Sequence, residues 1–155
     1  MIQKAFWGAL LLAWSLFHRT AAQDTIPLPS QDTAIYQMVE TMPRFWGCEA
    51  LEGGVAAQKH CADAALTKFF HSNVKLPAIC RESCIEGMVV IGFVVEKDGR
   101  VSNAQVLRDP GGGLGDAVLD VLKTMQASPH RWTPGRQGGV PVRVKYLMPF
   151  HIKYY

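Results

Sequence analysis

Four cysteines, Cys48, Cys61, Cys80 and Cys84, with His60 and His71 nearby, are the residues of this chain that could do the most varied chemistry. They could bind zinc, supply a thiolate nucleophile or cross-link the chain. Zinc is disfavoured by the spacing, because no Cys-x-x-Cys pair occurs and the intervals are irregular. A Cys–His nucleophile needs a thiol that is left unpaired. Cross-linking needs only an oxidising compartment, and the start of the chain points to one. Met1-Ile2-Gln3-Lys4 is basic, the run Ala5 to Phe17 is mostly apolar, and Thr20-Ala21-Ala22 is small. That is the pattern of a secretory signal peptide, residues 1–22, cut before Gln23. The competing reading is a short membrane anchor, although a span normally needs about 20 apolar residues.

In an oxidising compartment the four cysteines allow three pairings. The positions favour Cys48–Cys61 with Cys80–Cys84, and Cys48–Cys84 with Cys61–Cys80 stays open. A bridge between residues four apart requires non-helical geometry. Closing a loop of the Cys48–Cys61 size stabilises by about 3 kcal/mol in the loop-entropy account.

Other candidate chemistry reads as structure. Asp116 and Asp120 fall near a helix start, where they suit its dipole. Gly111-Gly112-Gly113 lacks the Gly-Lys-Ser/Thr of a phosphate loop. Neither Gly-x-Ser-x-Gly nor His-Glu-x-x-His occurs. The expectation is a protein that is not an enzyme and needs no cofactor or metal. Of 16 basic residues, Lys4 and Arg19 lie in the leader; 14 remain against 13 acidic ones, a net of +1. So even a balance offers no footprint for nucleic acid.

The elements that position these residues follow from periodicity. Residues 23–34 are polar with two prolines and form a linker, and 35–40 suggest a short strand. Gly53-Gly54 precede a helix over 55–71 with Ala62, Leu66, Phe69 and Phe70 on one stripe. Pro77 opens a short helix to Ser83. A strand over 85–96 is apolar on both faces, which predicts cover on both sides. Asp98-Gly99 marks a hairpin turn, and the next strand, 101–108, alternates imperfectly, as a bulge would require. Leu114, Val118, Val121, Leu122 and Met125 make the core face of a third helix. Trp132 reads as a core plug before the last strand.

That last strand alternates. Val142, Val144, Tyr146, Met148, Phe150 and Ile152 share one face; Arg143, Lys145, His151 and Lys153 share the other. Pro141 and Pro149 both fall at odd positions, so the edge formed by odd-numbered N–H groups is the one that can do without ladder partners. This predicts an edge open to strand addition over Val142, Arg143, Val144, Lys145, Tyr146, Leu147 and Met148. Arg143 and Lys145 would favour an acidic side chain on the partner. A bulge between the prolines would undo the argument. The prolines and charges could equally protect an edge from aggregation.

The order of these segments resembles the C-terminal domain of TonB-family energy transducers. The resemblance is carried by Leu76-Pro77, Ile85-Glu86-Gly87, Lys97-Asp98-Gly99-Arg100, Trp132-Thr133-Pro134-Gly135 and Pro141-Val142-Arg143-Val144, with Val39 to Phe45 upstream. It implies an α+β fold over residues 48–155, a three-stranded antiparallel sheet with helices on one face, preceded by a linker and extension over 23–47. It also implies a periplasmic location and a partner: the TonB box, an extended peptide of outer-membrane TonB-dependent transporters. A membrane anchor would add inner-membrane motor proteins, and the edge strand could instead seal a homodimer. The chain departs from the family in its short leader, its spacer of about ten residues, the three-residue spacing of Ser15 and His18, and Leu76 in place of a tyrosine.

Overall fold

The computed structural model describes residues 33–153. The expected signal peptide and most of the linker lie outside the described residues. Within them the chain runs β1 (Ile35–Tyr36), α1 (Gly54–Asn73), α2 (Ala78–Glu82), β2 (Gly87–Val95), β3 (Val101–Arg108), α3 (Leu114–Ala127), β4 (Gly135–Gln137) and β5 (Val140–Ile152). Among these elements no helix is long and apolar enough to cross a membrane.

The class is α+β, and the strand inventory is larger than three. The sheet runs in the order β1-β5-β2-β3, with β4 pairing β5 in addition. Three long antiparallel strands, β5, β2 and β3, are the expected sheet. The two additions are strands of two and three residues, too short for any alternation to show. β1 also ends at Tyr36, well before Glu40, and it runs parallel to β5.

β2 and β5 pair without a break from Gly87↔Ile152 to Val95↔Val144. β2 and β3 pair less regularly, with register shifts between Val90 and Ile91 and between Gly92 and Val94. Asn103 sits at a positive φ of 49° in β3. This is the bulge expected from the imperfect alternation, and asparagine is one of the few side chains that tolerates that region. The turn between these strands places Gly99 at φ +78°, where a Cβ would collide with the Trp132 carbonyl oxygen. Trp132 N–H donates to the Gly99 carbonyl at 2.9 Å, so the β2–β3 turn and the segment before β4 are locked together.

Both long helices pack on one face of the sheet. Ala62, Leu66 and Phe70 of α1, and Leu114, Val118, Val121, Leu122 and Met125 of α3, join Val89, Ile91, Phe93 and Val95 of β2 and Met148, Phe150 and Ile152 of β5 in a single core. Each row follows its own period, four in the helix and two in the strand. Trp132 plugs this core as expected: it is 3 % exposed and its Nε1–H points to Met125 Sδ at 3.3 Å. Full burial of such side chains stabilises by roughly 1.5–3 kcal/mol each.

The expectation that β2 is covered on both sides holds for one side only. On its other face Met88 and Val90 are half-buried, and Gly92 and Val94 are closed off. The cover over Gly92 is local, from Leu107 and Leu147, whose side chains a Cβ there would touch. Two neighbouring strands supply it, with no helix layer on that face among the described residues.

Candidate docking edge

β5 is flanked by β2 on one side and, in the sheet order, by β1 on the other. β1 covers little: Ile35 faces Arg143 and Tyr36 faces Val144. Beyond Val144 no strand pairs with that outer edge among the described residues. Pro149 stands directly opposite Val90. A proline fits a ladder where its missing N–H would point away from the neighbour. With no register shift from Val144 to Ile152, the same parity applies to the whole stretch, so Lys145 and Leu147 turn their N–H and C=O groups outward.

The seven residues singled out in the sequence therefore divide. Val142 pairs with Gly135 of β4, and Arg143 and Val144 pair with β1. Lys145, Tyr146, Leu147 and Met148 lie on the stretch that β1 leaves unpaired. Of these, Tyr146 and Met148 send their side chains to the helix-covered face, and Leu147 is 55 % exposed. Tyr146 stacks on Phe93 at 5.4 Å, meets Trp132 edge-on at 5.2 Å, and brings its hydroxyl to 3.4 Å from Asp63 Oδ1. Burial first, and then the Asp63 carboxylate, push its hydroxyl up to about 12.

Arg143 has a different task from the one its position suggested. Its Nε and Nη2 donate to the two Glu96 carboxylate oxygens at 2.6 and 2.9 Å, and Nη1 donates to the Thr33 carbonyl at 3.2 Å. Glu96 also accepts from the Ser102 hydroxyl. The Arg143 hydrogen bond, opposed by desolvation and helped by Ser102, holds the Glu96 carboxyl below its ordinary range. A guanidinium engaged bidentately is committed to the fold, and Lys145 is left as the cation of this edge.

Beside the unpaired stretch lies a groove of about 420 Å³. Met38, Met42 and Pro43 form one wall and Lys145 and Leu147 the other, with Lys59 of α1 at its end. Lys59 is paired to Asp63 at 2.5 Å. The first wall was not legible in the sequence. Met38 lies between Gln37 and Val39 in a segment without clean alternation, and its 86 % exposure is the feature that marks it, visible only once the chain is folded.

The cysteines divide too. Cys48 and Cys61 form a disulfide with their Cα atoms 6.1 Å apart, the pairing favoured by their positions. Cys80 and Cys84 are free, which corrects the second expected bridge and excludes the crossed alternative. The reason is the helix between them. Cys80 lies inside α2, fully buried, with its Sγ at 3.0 Å from the Gly112 carbonyl. Cys84 falls beyond the helix end, at φ 51°, facing solvent. A bridge would pull one of them through the turn that separates core from surface. His60 and His71 are both exposed, and among the described residues no three His, Cys, Asp or Glu side chains gather where a metal ion could be held.

Comparison with known proteins places this geometry in a family. The C-terminal region of the Gram-negative bacterial TonB protein matches residues 72–153. Two solution structures of the Helicobacter pylori TonB C-terminal domain are similar to the chain. One is 21 % identical, covering 58 % of this chain and 90 % of that one at a TM-score of 0.43. The other is 20 % identical, covering 70 % and 94 %, also at 0.43. None of the curated proteins matches. The family match spans α2 to β5 and includes the whole unpaired edge, so this chain belongs to the TonB C-terminal family.

Proposed function

We propose that this domain docks an extended peptide of an outer-membrane TonB-dependent transporter by adding it as a strand along β5, in the periplasm, in support of energy-coupled transport. The observation that carries the reading is the outer edge of β5 from Lys145 to Met148, which pairs with no strand among the described residues, since β1 stops at Val144. An edge of this kind offers main-chain donors and acceptors in register, and a peptide that takes them gains affinity without needing a deep pocket. The four residues Lys145 to Met148 span about 13 Å of strand, which fits a short linear segment. The Pro149 ring ends the window on one side, and β1 ends it on the other. The Cys48–Cys61 disulfide suits the oxidising periplasm.

The test is a titration of oxidised, isotope-labelled protein with the TonB-box segments of transporters from the same organism. Amide shifts confined to Lys145 through Met148 and their neighbours support docking at this edge. An intact fold with no shift from any such segment overturns it.

A further inference from the structure

Residues 33–71 precede the part of the chain that matches the family, yet they contribute one side of the groove beside the docking edge. That side is braced. Thr41 and Arg136 exchange backbone hydrogen bonds at 3.1 and 2.8 Å, and Arg44 and Thr133 do so at 3.0 and 2.9 Å. Pro43 packs against Gly135 so closely that a Cβ there would crowd it. Arg44 Nη1 donates to Gln58 Oε1 at 2.6 Å, Phe45 is buried in the core, and Cys48 is bonded to Cys61. The disulfide therefore ties the loop after this wall to the helix that carries Lys59, two residues earlier. Such a wall is held in place before any ligand arrives, which lowers the ordering cost of binding.

Its chemistry is specific. Met38 is exposed, Met42 is half-buried and Leu147 faces them across the groove. Unbranched thioether side chains adapt to apolar groups of varied shape. The charges at the groove are both cations, Lys145 and Lys59. Asp63 balances Lys59, and Lys145 has no acidic partner among the described residues. A strand laid along Lys145 to Met148 would run between these groups.

We propose that the disulfide-braced extension before the family domain is a second wall of the docking site, and that Met38, Met42 and Lys145 select an extended protein segment bearing a carboxylate next to an apolar side chain. This rests on the strand-addition reading of β5 and adds to it a choice of sequence. Arg143, the other cation expected to recognise an acid, is spent on Glu96, so the selection falls to Lys145.

The experiment uses the full oxidised chain and capped octapeptides of Thr, Val and Leu. Each carries one Glu scanned through the eight positions, with Gln twins as controls. At the best position the Glu peptide is expected to bind about three-fold to five-fold tighter than its twin, the range of a partly exposed ion pair. The preference should vanish in Lys145→Gln and shrink in high salt. Met38→Ala should weaken peptides with Leu beside the Glu, and leave those with Thr there unchanged. Both substituted side chains make no core contact, so the variants should fold, and their unfolding curves check this. Peptides that shift the Lys145–Met148 amides with no Glu preference, or a preference that survives both substitutions, overturn the second wall while strand addition stands. No binding by any peptide overturns both.

Discussion

A proline placed at 147 separates the two edges of β5 from each other. By the parity that Pro149 sets opposite Val90, the Leu147 N–H points outward, away from β2. Leu147→Pro removes that donor, breaks no ladder bond and changes a side chain that is 55 % exposed. Its stability cost should be about 1 kcal/mol or less. Met148→Pro removes an N–H that points into the ladder opposite Ile91 and truncates a side chain that is 5 % exposed. An orphaned ladder carbonyl costs roughly 1–3 kcal/mol and the lost buried side chain roughly 2–5, so this variant should lose more than about 3 kcal/mol. For a docked peptide the order reverses in importance. Leu147→Pro deletes one main-chain bond and leaves the peptide carbonyl unmet, together about 2 kcal/mol, or roughly 30-fold in Kd. Urea unfolding gives the first comparison, and amide-shift titration with a transporter TonB-box segment gives the second. Equal destabilisation by the two prolines would refute the parity. A folded Leu147→Pro that binds at wild-type affinity would refute docking on this edge.

Three further outcomes follow from particular contacts. Because the folded-state carboxyl of Glu96 lies below its ordinary 4.5, its contribution to stability is present above that value and is lost as pH falls through the lowered one; Glu96→Gln should flatten the acid limb of a stability-against-pH curve. Tyr146 should ionise near pH 12 in the folded protein, seen as a late step in ultraviolet absorbance that Tyr146→Phe removes. Since its folded-state value is raised, its contribution is full below pH about 10 and declines as pH rises towards 12. Converting Cys48 and Cys61 to serine should lower stability by about 3 kcal/mol in denaturant melts, while thiol titration of the native protein should find Cys84 reacting quickly and Cys80 only on unfolding.

Much of this architecture is legible residue by residue. The α3 stripe from Leu114 to Met125, the Asp98-Gly99 turn and the alternation of β5 each appear in the structure where local pattern puts them, because each depends on neighbours within a few positions in the chain, and Trp132 plugs the core as expected. The Cys48–Cys61 bridge, which the positions of the two residues around the Gly-rich turn favour, is present in the structure. The Cys80–Cys84 pairing failed because α2 runs through it, a helix of five residues whose local signal, Pro77 alone, does not say which side chain faces the core.

The sequence by itself determined the class of fold, the long strands and helices, the family, and the parity that turns Lys145 and Leu147 outward. Local patterns suffice for these, since apolar spacing and proline positions act within one element. Only the tertiary structure decided what remains of the edge. β1 takes Arg143 and Val144 through two residues of parallel pairing more than a hundred positions away in the chain. Glu96, just past the end of the neighbouring strand β2, claims the Arg143 guanidinium, and Met38 and Lys59 arrive beside Lys145 from segments with no sequence relation to β5. Such contacts join residues far apart in the chain, and their energies depend on distances that only a folded core sets.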